Sequence, residues 1–144
     1  MGYPVPYQNK IIAVSGGFDP IHIGHVRMIL DAAKLGNVLV IANSDEWLVR
    51  KKGYSFMPFE ERAEILASIK GVMKVVKASD DDDTVCQSLY DNKIDIFANG
   101  GDRKNDNVPE VAVCNKLGIE MLWNIGGGKI QSSSTLVERI DERK

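Results

Sequence analysis

Histidine is scarce in this chain. There are two in 144 residues, His22 and His25, three positions apart. Cysteine is equally sparse, with Cys86 and Cys114 set too far apart for any paired or metal-binding spacing. That count excludes a disulfide-stapled scaffold and a thiolate zinc site, and it suggests free thiols in a reducing compartment, the cytoplasm. No apolar run approaches the roughly 20 residues that a membrane-spanning helix needs. Neither sign of charge dominates: 18 Lys and Arg face 20 Asp and Glu, for a formal net charge of -2. The field of the whole molecule therefore does not gather nucleic acid, and a bound polyanion would need a local cluster of positive groups. Internal repeats and low-complexity linkers are also missing.

Residues 1–9 have no apolar signal core, and Gly2 lacks the Ser or Thr of a myristoylation motif. They are expected to be a short N-terminal extension to a domain over 10–144. At 44% hydrophobic and 26% charged, a chain of this length suits one compact core. Two halves would each be too small to bury much.

Short β-branched runs alternate with helical spacing. Strands are predicted over 10–14, 37–43, 72–76, 94–98 and 119–123. A helix over 22–35 presents Val26, Ile29, Leu30 and Ala33 on one face, with Gly36 as its left-handed stop. Ser44 and Asp45 cap a short turn carrying Trp47 and Leu48, and 50–53 reads as a basic, flexible loop. Pro58, Glu60 and Glu61 open a helix that ends at Gly71. Helices over about 84–92 and over 109–117 follow, the latter stopped by Gly118. A final helix runs from the serines at 132–134 to about 143, with Thr135 and Glu138 fitting a capping box. The alternation predicts an α/β fold: one Rossmann-like, three-layer domain with a five-stranded parallel sheet. Right-handed crossovers would bring every strand's C-terminal end, and the loops that follow, to one edge.

The stretch 15–25 holds most of the chemistry. Gly16 and Gly17, at a strand end, would let the backbone approach a ligand, although a plain tight turn explains them too. His22 and His25 share one helix face and project toward its N-terminus, where unpaired N–H groups and the helix dipole already favour an anion. Two imidazoles added there suit charge developing on a transferring phosphoryl group. Gly24 between them would keep the surface clear for a phosphate. A protein-held metal would need a third ligand; Asp19 is the nearest candidate, but a phosphate-bridging Mg²⁺ fits better, so no protein metal ligands are assigned. The acidic run 80–83 reads as charge before a helix rather than a metal site.

His22, Gly24 and His25, behind Gly17, Phe18, Asp19 and Pro20, resemble the HxGH signature of the cytidylyltransferase-like nucleotidyltransferases. The motifs at 43–45, 58–62, 100–104 and 132–135 follow in the family's order. Their run is most similar to the nucleotidyltransferase domain of bacterial ADP-heptose synthases, and next to glycerol-3-phosphate cytidylyltransferases. The resemblance implies that His22 and His25 contact the NTP phosphates, with Lys51 or its neighbour Lys52 on those phosphates or on the incoming substrate's. It also implies that Gly16, Gly17, Phe18, Asp19, Gly24 and Arg62 border the nucleotide. Gly100, Gly101 and Asp102 would approach the nucleoside, and Ser133, Ser134 and Thr135 would form a second anion site. Arg103 stands where the heptose enzymes usually carry tyrosine. The three glycines from 126 replace the Arg-Thr dipeptide of the glycerol enzymes.

The implied reaction transfers NMP from ATP or CTP, accompanied by Mg²⁺, to a sugar phosphate or polyol phosphate, releasing pyrophosphate. Partners would be the NTP and a small phosphorylated acceptor, with no nucleic acid and no membrane, in a homodimer. The alternatives are a glycerol-3-phosphate cytidylyltransferase-like enzyme and a catalytically idle nucleotide-binding module.

Overall fold

The computed structural model describes residues 9–79, 84–99, 109–123, 125–126 and 131–132. Its elements run β1 (Ile11–Gly16), α1 (Ile23–Ala33), β2 (Asn37–Ala42), α2 (Asp45–Lys52), α3 (Phe59–Ala67), β3 (Val72–Lys77), α4 (Cys86–Asp91), β4 (Ile96–Ala98), α5 (Pro109–Leu117), β5 (Glu120–Trp123) and β6 (Gln131–Ser132). The sheet order is β3-β2-β1-β4-β5-β6. The first five strands pair in parallel, as expected from the sequence. The sixth, a two-residue edge strand, pairs antiparallel with β5 through Leu122–Ser132 and Trp123–Gln131.

Side chains that alternate along each strand build two cores, one on each face of the sheet. Ile12, Val14, Val38 and Val40 pack with Ile29 and Ala32 of α1 and Leu66 of α3. Ala13, Leu39, Ile41 and Phe97 point the other way, toward Leu89 of α4 and Cys114 of α5. This is the three-layer arrangement that runs of wholly apolar strand residues predict. Burial pushes the Cys114 thiol up to about 12, with Glu110 and Cys86 adding to it, so the group behaves as an apolar packing residue.

Several local expectations need correction, among them the helix opened by Pro58, which stops at Ala67 rather than at Gly71. Gly36 is not left-handed: α1 ends at Lys34, in right-handed conformation, whose N–H reaches the Asp31 and Ala32 carbonyls. Residues 50–52 are not a loop but the last turn of α2, and Gly53 (φ 85°) is the left-handed cap that ends it. Three cations at that end complement the helix dipole, while Asp45 and Glu46 do so at its start. Pro58 lies just outside α3 as its N-cap. The predicted helix over 84–92 is shorter, spanning Cys86–Asp91. By contrast, Gly118 is left-handed at φ 73°, and Ile119 N–H reaches back to the Cys114 carbonyl at 2.8 Å, as a helix stop should. The acidic run 80–83 and the final helix lie outside the described residues.

The parallel strands put their C-terminal ends on one edge. Strand order reverses between β1 and β4, because β2 and β3 lie on one side of β1 while β4 and β5 lie on the other. The segment leaving β1 therefore emerges at the switch point, the usual ligand crevice of open α/β sheets.

Candidate functional site

His22 is the N-cap of α1, with extended backbone at φ −143°. Its Nδ1 accepts the Gly24 N–H at 3.0 Å, and His25 Nδ1 accepts the His22 N–H at 3.1 Å. The two imidazoles thus cap one helix reciprocally, the work that Ser and Glu perform in an ordinary capping box. Their rings stack at 3.8 Å between centroids, and the edge of Phe18 meets His25 at 5.0 Å. A ring nitrogen that accepts an N–H carries no proton, so this network assigns the neutral proton of each ring to Nε2. Both side chains then offer an outward Nε2–H donor at the positive end of a helix that has no acid in its first turn. Burial lowers the His25 pKa, and the neighbouring His22 charge lowers it further, favouring the neutral donor form.

The glycines have internal reasons for their positions. A Cβ on Gly24 would lie 2.9 Å from Cε1 of His22, so the imidazole itself occupies the space that the sequence reading left for a phosphate. A Cβ on Gly16 would press on the Phe18 ring at 3.3 Å, and one on Gly17 on Leu48 Cδ2 at 2.9 Å. Phe18 is buried with φ 54°, a left-handed backbone that costs a bulky residue about 1–2 kcal/mol and turns the chain sharply after β1. The Phe18 ring serves the site by backing His25.

Asp19 and Arg62, expected beside the nucleotide, are committed elsewhere. The Asp19 carboxylate accepts the Phe56 N–H at 2.8 Å and the Met57 N–H at 2.7 Å, and it pairs with Lys52 Nζ at 3.2 Å. Burial alone would raise its pKa, but these backbone hydrogen bonds and the Lys52 ammonium outweigh it and hold the carboxyl below the usual range. Arg62 is fully buried. It donates to the Met57, Gly17 and Asn43 carbonyls at 2.8–2.9 Å and to the Asp45 carboxylate at 2.6 Å. It therefore ties together the ends of β1 and β2 and the segment before α3. Asp45 also accepts from Phe59 N–H and Ser55 Oγ, and its carboxyl is likewise held low by Arg62 against the opposing effect of burial. Both charged residues are positioning groups, and neither has a free face for a phosphate.

The lysine pair separates. Lys52 Nζ donates to the Asp19 carbonyl at 2.5 Å, three residues before His22, whereas Lys51 extends over Trp47 on the exposed side of α2. Lys52 is therefore the cation beside the histidine turn. Gly100, Gly101, Asp102, Arg103, Ser133, Ser134 and Thr135 lie outside the described residues. Asp45, Tyr54 and Phe56 were not singled out in the sequence as site residues. Asp45 was visible there as part of a helix cap and of the motif at 43–45, without a role of its own, and nothing in the sequence ties the two aromatics to Asp19.

Among the described residues, no group of three or more His, Cys, Asp and Glu is placed to hold a metal ion, and no helix is long and apolar enough to cross a membrane.

Comparison with known proteins gives this geometry a family. A family model described as cytidylyltransferase-like matches residues 13–139. The bifunctional protein HldE of Syntrophotalea carbinolica is 32% identical over 138 residues, covering 92% of this chain and 27% of that protein. HldE of Citrobacter koseri is 36% identical over 121 residues, 82% of this chain and 23% of the relative. The chain thus spans about a quarter of the length of these relatives. Among solved structures, the lipopolysaccharide core biosynthesis protein from Thermoplasma volcanium shares the fold, with a TM-score of 0.64 at 24% identity, covering 76% of this chain and 89% of that one. The chain belongs to the cytidylyltransferase-like family, and by that membership it is a nucleotidyltransferase.

Proposed function

We propose that the chain transfers a nucleotidyl group from ATP or CTP to a phosphorylated sugar, releasing pyrophosphate, in the manner of the HldE relatives' nucleotidyltransferase part. One observation carries the reading: the reciprocal His22–His25 cap, which leaves two Nε2–H donors together at a helix N-terminus on the switch-point edge.

An oxygen of the acceptor phosphate attacks the α-phosphorus, and the bond to the β-bridging oxygen breaks, so the electron pair leaves with pyrophosphate. No covalent intermediate on the protein is needed, because orientation and charge stabilisation supply the rate. The two Nε2–H groups would donate to the phosphate oxygens as charge moves toward the leaving group. Lys52, with Lys51 behind it, would supply a cation to the phosphates or to the acceptor. Gly100, Gly101 and Asp102 would border the nucleoside, and Ser133, Ser134 and Thr135 would form the facing anion site. Asp19 keeps its oxygens on Phe56, Met57 and Lys52, so Mg²⁺ would be carried by the nucleotide phosphates, where it offsets their charge. A homodimer in the cytoplasm is part of the same reading and is checked by light scattering and by fractionation.

The test incubates protein, Mg²⁺, ATP or CTP and a panel of sugar and polyol phosphates, and measures pyrophosphate. Turnover with one nucleotide and one acceptor is expected. Loss of either histidine removes a transition-state hydrogen bond of about 2–4 kcal/mol, so His22→Ala and His25→Ala should each slow turnover about a hundredfold or more. Undiminished pyrophosphate release from both variants refutes the assignment.

A further inference from the structure

Beyond α2 the chain displays two large aromatic rings to solvent while holding the backbone at Phe56 fixed. Phe56 is 63% exposed and Tyr54 49%. Their rings meet edge to face at 4.8 Å, and Lys52 Nζ lies 5.0 Å from the Tyr54 centroid and 5.6 Å from that of Phe56. The segment is pinned from both sides. Asp19 accepts the Phe56 and Met57 N–H groups, Arg62 takes the Met57 carbonyl, and Asp45 accepts from Ser55 and Phe59. An apolar surface that costs free energy to expose, and that sits on a backbone anchored by two carboxylates and a buried guanidinium, is built to be covered. Its anchor, Asp19, belongs to the histidine turn, so whatever covers the rings lies beside the reacting phosphates.

We infer that Lys52, Tyr54 and Phe56 form the acceptor subsite, with Lys52 on the acceptor's phosphate and the face of Phe56, the more exposed ring, braced by the nearly perpendicular Tyr54, against the C–H face of a ring sugar. This rests on the nucleotidyl-transfer reading and narrows its acceptor class. A pyranose presents C–H groups, weakly positive, that match the negative face of an aromatic ring. An acyclic polyol phosphate has no such flat face and would gain only the Lys52 contact. The cation–π contacts keep the ammonium beside the rings, so charge and platform are presented together. Tyr54 and Phe56 are specificity residues in this scheme and take no part in the chemical step.

The experiment is calorimetric titration of the full chain with ATP, CTP, inorganic phosphate, glycerol 3-phosphate and a panel of hexose and heptose 1-phosphates, alongside the pyrophosphate assay. One ring-sugar phosphate should bind wild type at least tenfold more tightly than it binds Phe56→Ala, with Tyr54→Ala in between and Phe56→Tyr close to wild type. In the assay, Phe56→Ala should raise the acceptor KM by a similar factor while leaving the nucleotide KM within twofold. Nucleotide binding also serves as the check that each variant is folded. If ring-sugar phosphates bind wild type and Phe56→Ala within twofold of each other, or if glycerol 3-phosphate is weakened equally, the subsite assignment falls while nucleotidyl transfer stands. If binding depends on Phe56 but no pyrophosphate is released, the reaction is wrong and the subsite holds. If no sugar phosphate binds wild type, both are overturned.

Discussion

At the scale of the residue, His22 and His25 cap a helix and, in the proposed reaction, would serve the site as well. Nδ1 caps the helix and Nε2 faces outward, so a plain deletion confounds two losses. Asparagine is a preferred N-cap, and His22→Asn should keep helix stability within about 1 kcal/mol of wild type while still losing turnover about a hundredfold. Denaturant melts and pyrophosphate release, measured on the same preparation, check this; recovery of full turnover would mean that the outward donor is not used. His25 supplies a pH test. Its pKa is lowered, first by burial and then by His22, so the folded protein resists its protonation. The stability it contributes is fully present above the unfolded value near 6.5 and is lost as pH falls through the lower folded value. Its NMR titration midpoint should lie below that of a free histidine, and turnover should decline on the acid side, because a protonated Nδ1 cannot accept the His22 N–H. The identities of these residues were visible in the sequence. Their mutual capping was not, because histidine is not a usual capping residue and its two nitrogens look alike in a string of letters.

At the scale of the element, the short α2 and the segment behind it hold the site's frame. Apolar periodicity picked out the parallel strands and α1, but it missed α2, where Leu48 is the residue fully buried and no apolar face repeats. The signals there were at the ends: Ser44 with two acids at the start, three cations and a glycine at the finish. The partners of Asp19 and Arg62 were hidden for another reason. The charges of these two residues are plain in the sequence, but their partners lie anywhere from 5 to 45 residues away, most of them backbone groups that no spacing rule reveals. Arg62→Met would strand one buried and two part-buried carbonyls and break the pair with the partly exposed Asp45, at an expected cost of about 3 kcal/mol by chemical denaturation. Arg62→Lys should recover little of it, since one ammonium cannot span the fork. A loss below 1 kcal/mol would show that the hub is dispensable.

At the scale of the whole molecule, two structures meet at one edge: a sheet with a core on each face, and a set of turns tied to it by charge. A saturating nucleotide bound to the folded chain alone should stabilise it by about 2.7 kcal/mol at a hundred times Kd. For a domain of this size that is a rise in melting temperature of several degrees, checked by scanning calorimetry with and without Mg²⁺ and each NTP. No rise with either nucleotide would argue against the site. The Gly126 turn tests how the far end of the chain bears on the first helix. A Cβ there would come within 3.1 Å of Met28 Cα, on a backbone with φ 82°. Gly126→Ala should therefore lower the melting temperature more than Gly53→Ala, where φ is similar but the space is open. The clamp on Phe56 and Met57 has a consequence on a different clock. The Phe56 side chain faces solvent and that of Met57 is half-buried, yet both amides donate to a carboxylate anchored in the turn after β1, and the same segment hangs on Arg62. Opening them to solvent requires releasing that whole assembly. In deuterated buffer these two amides should keep their protons about as long as those of the central strands, so that an outwardly exposed segment shares the isotope lifetime of the interior.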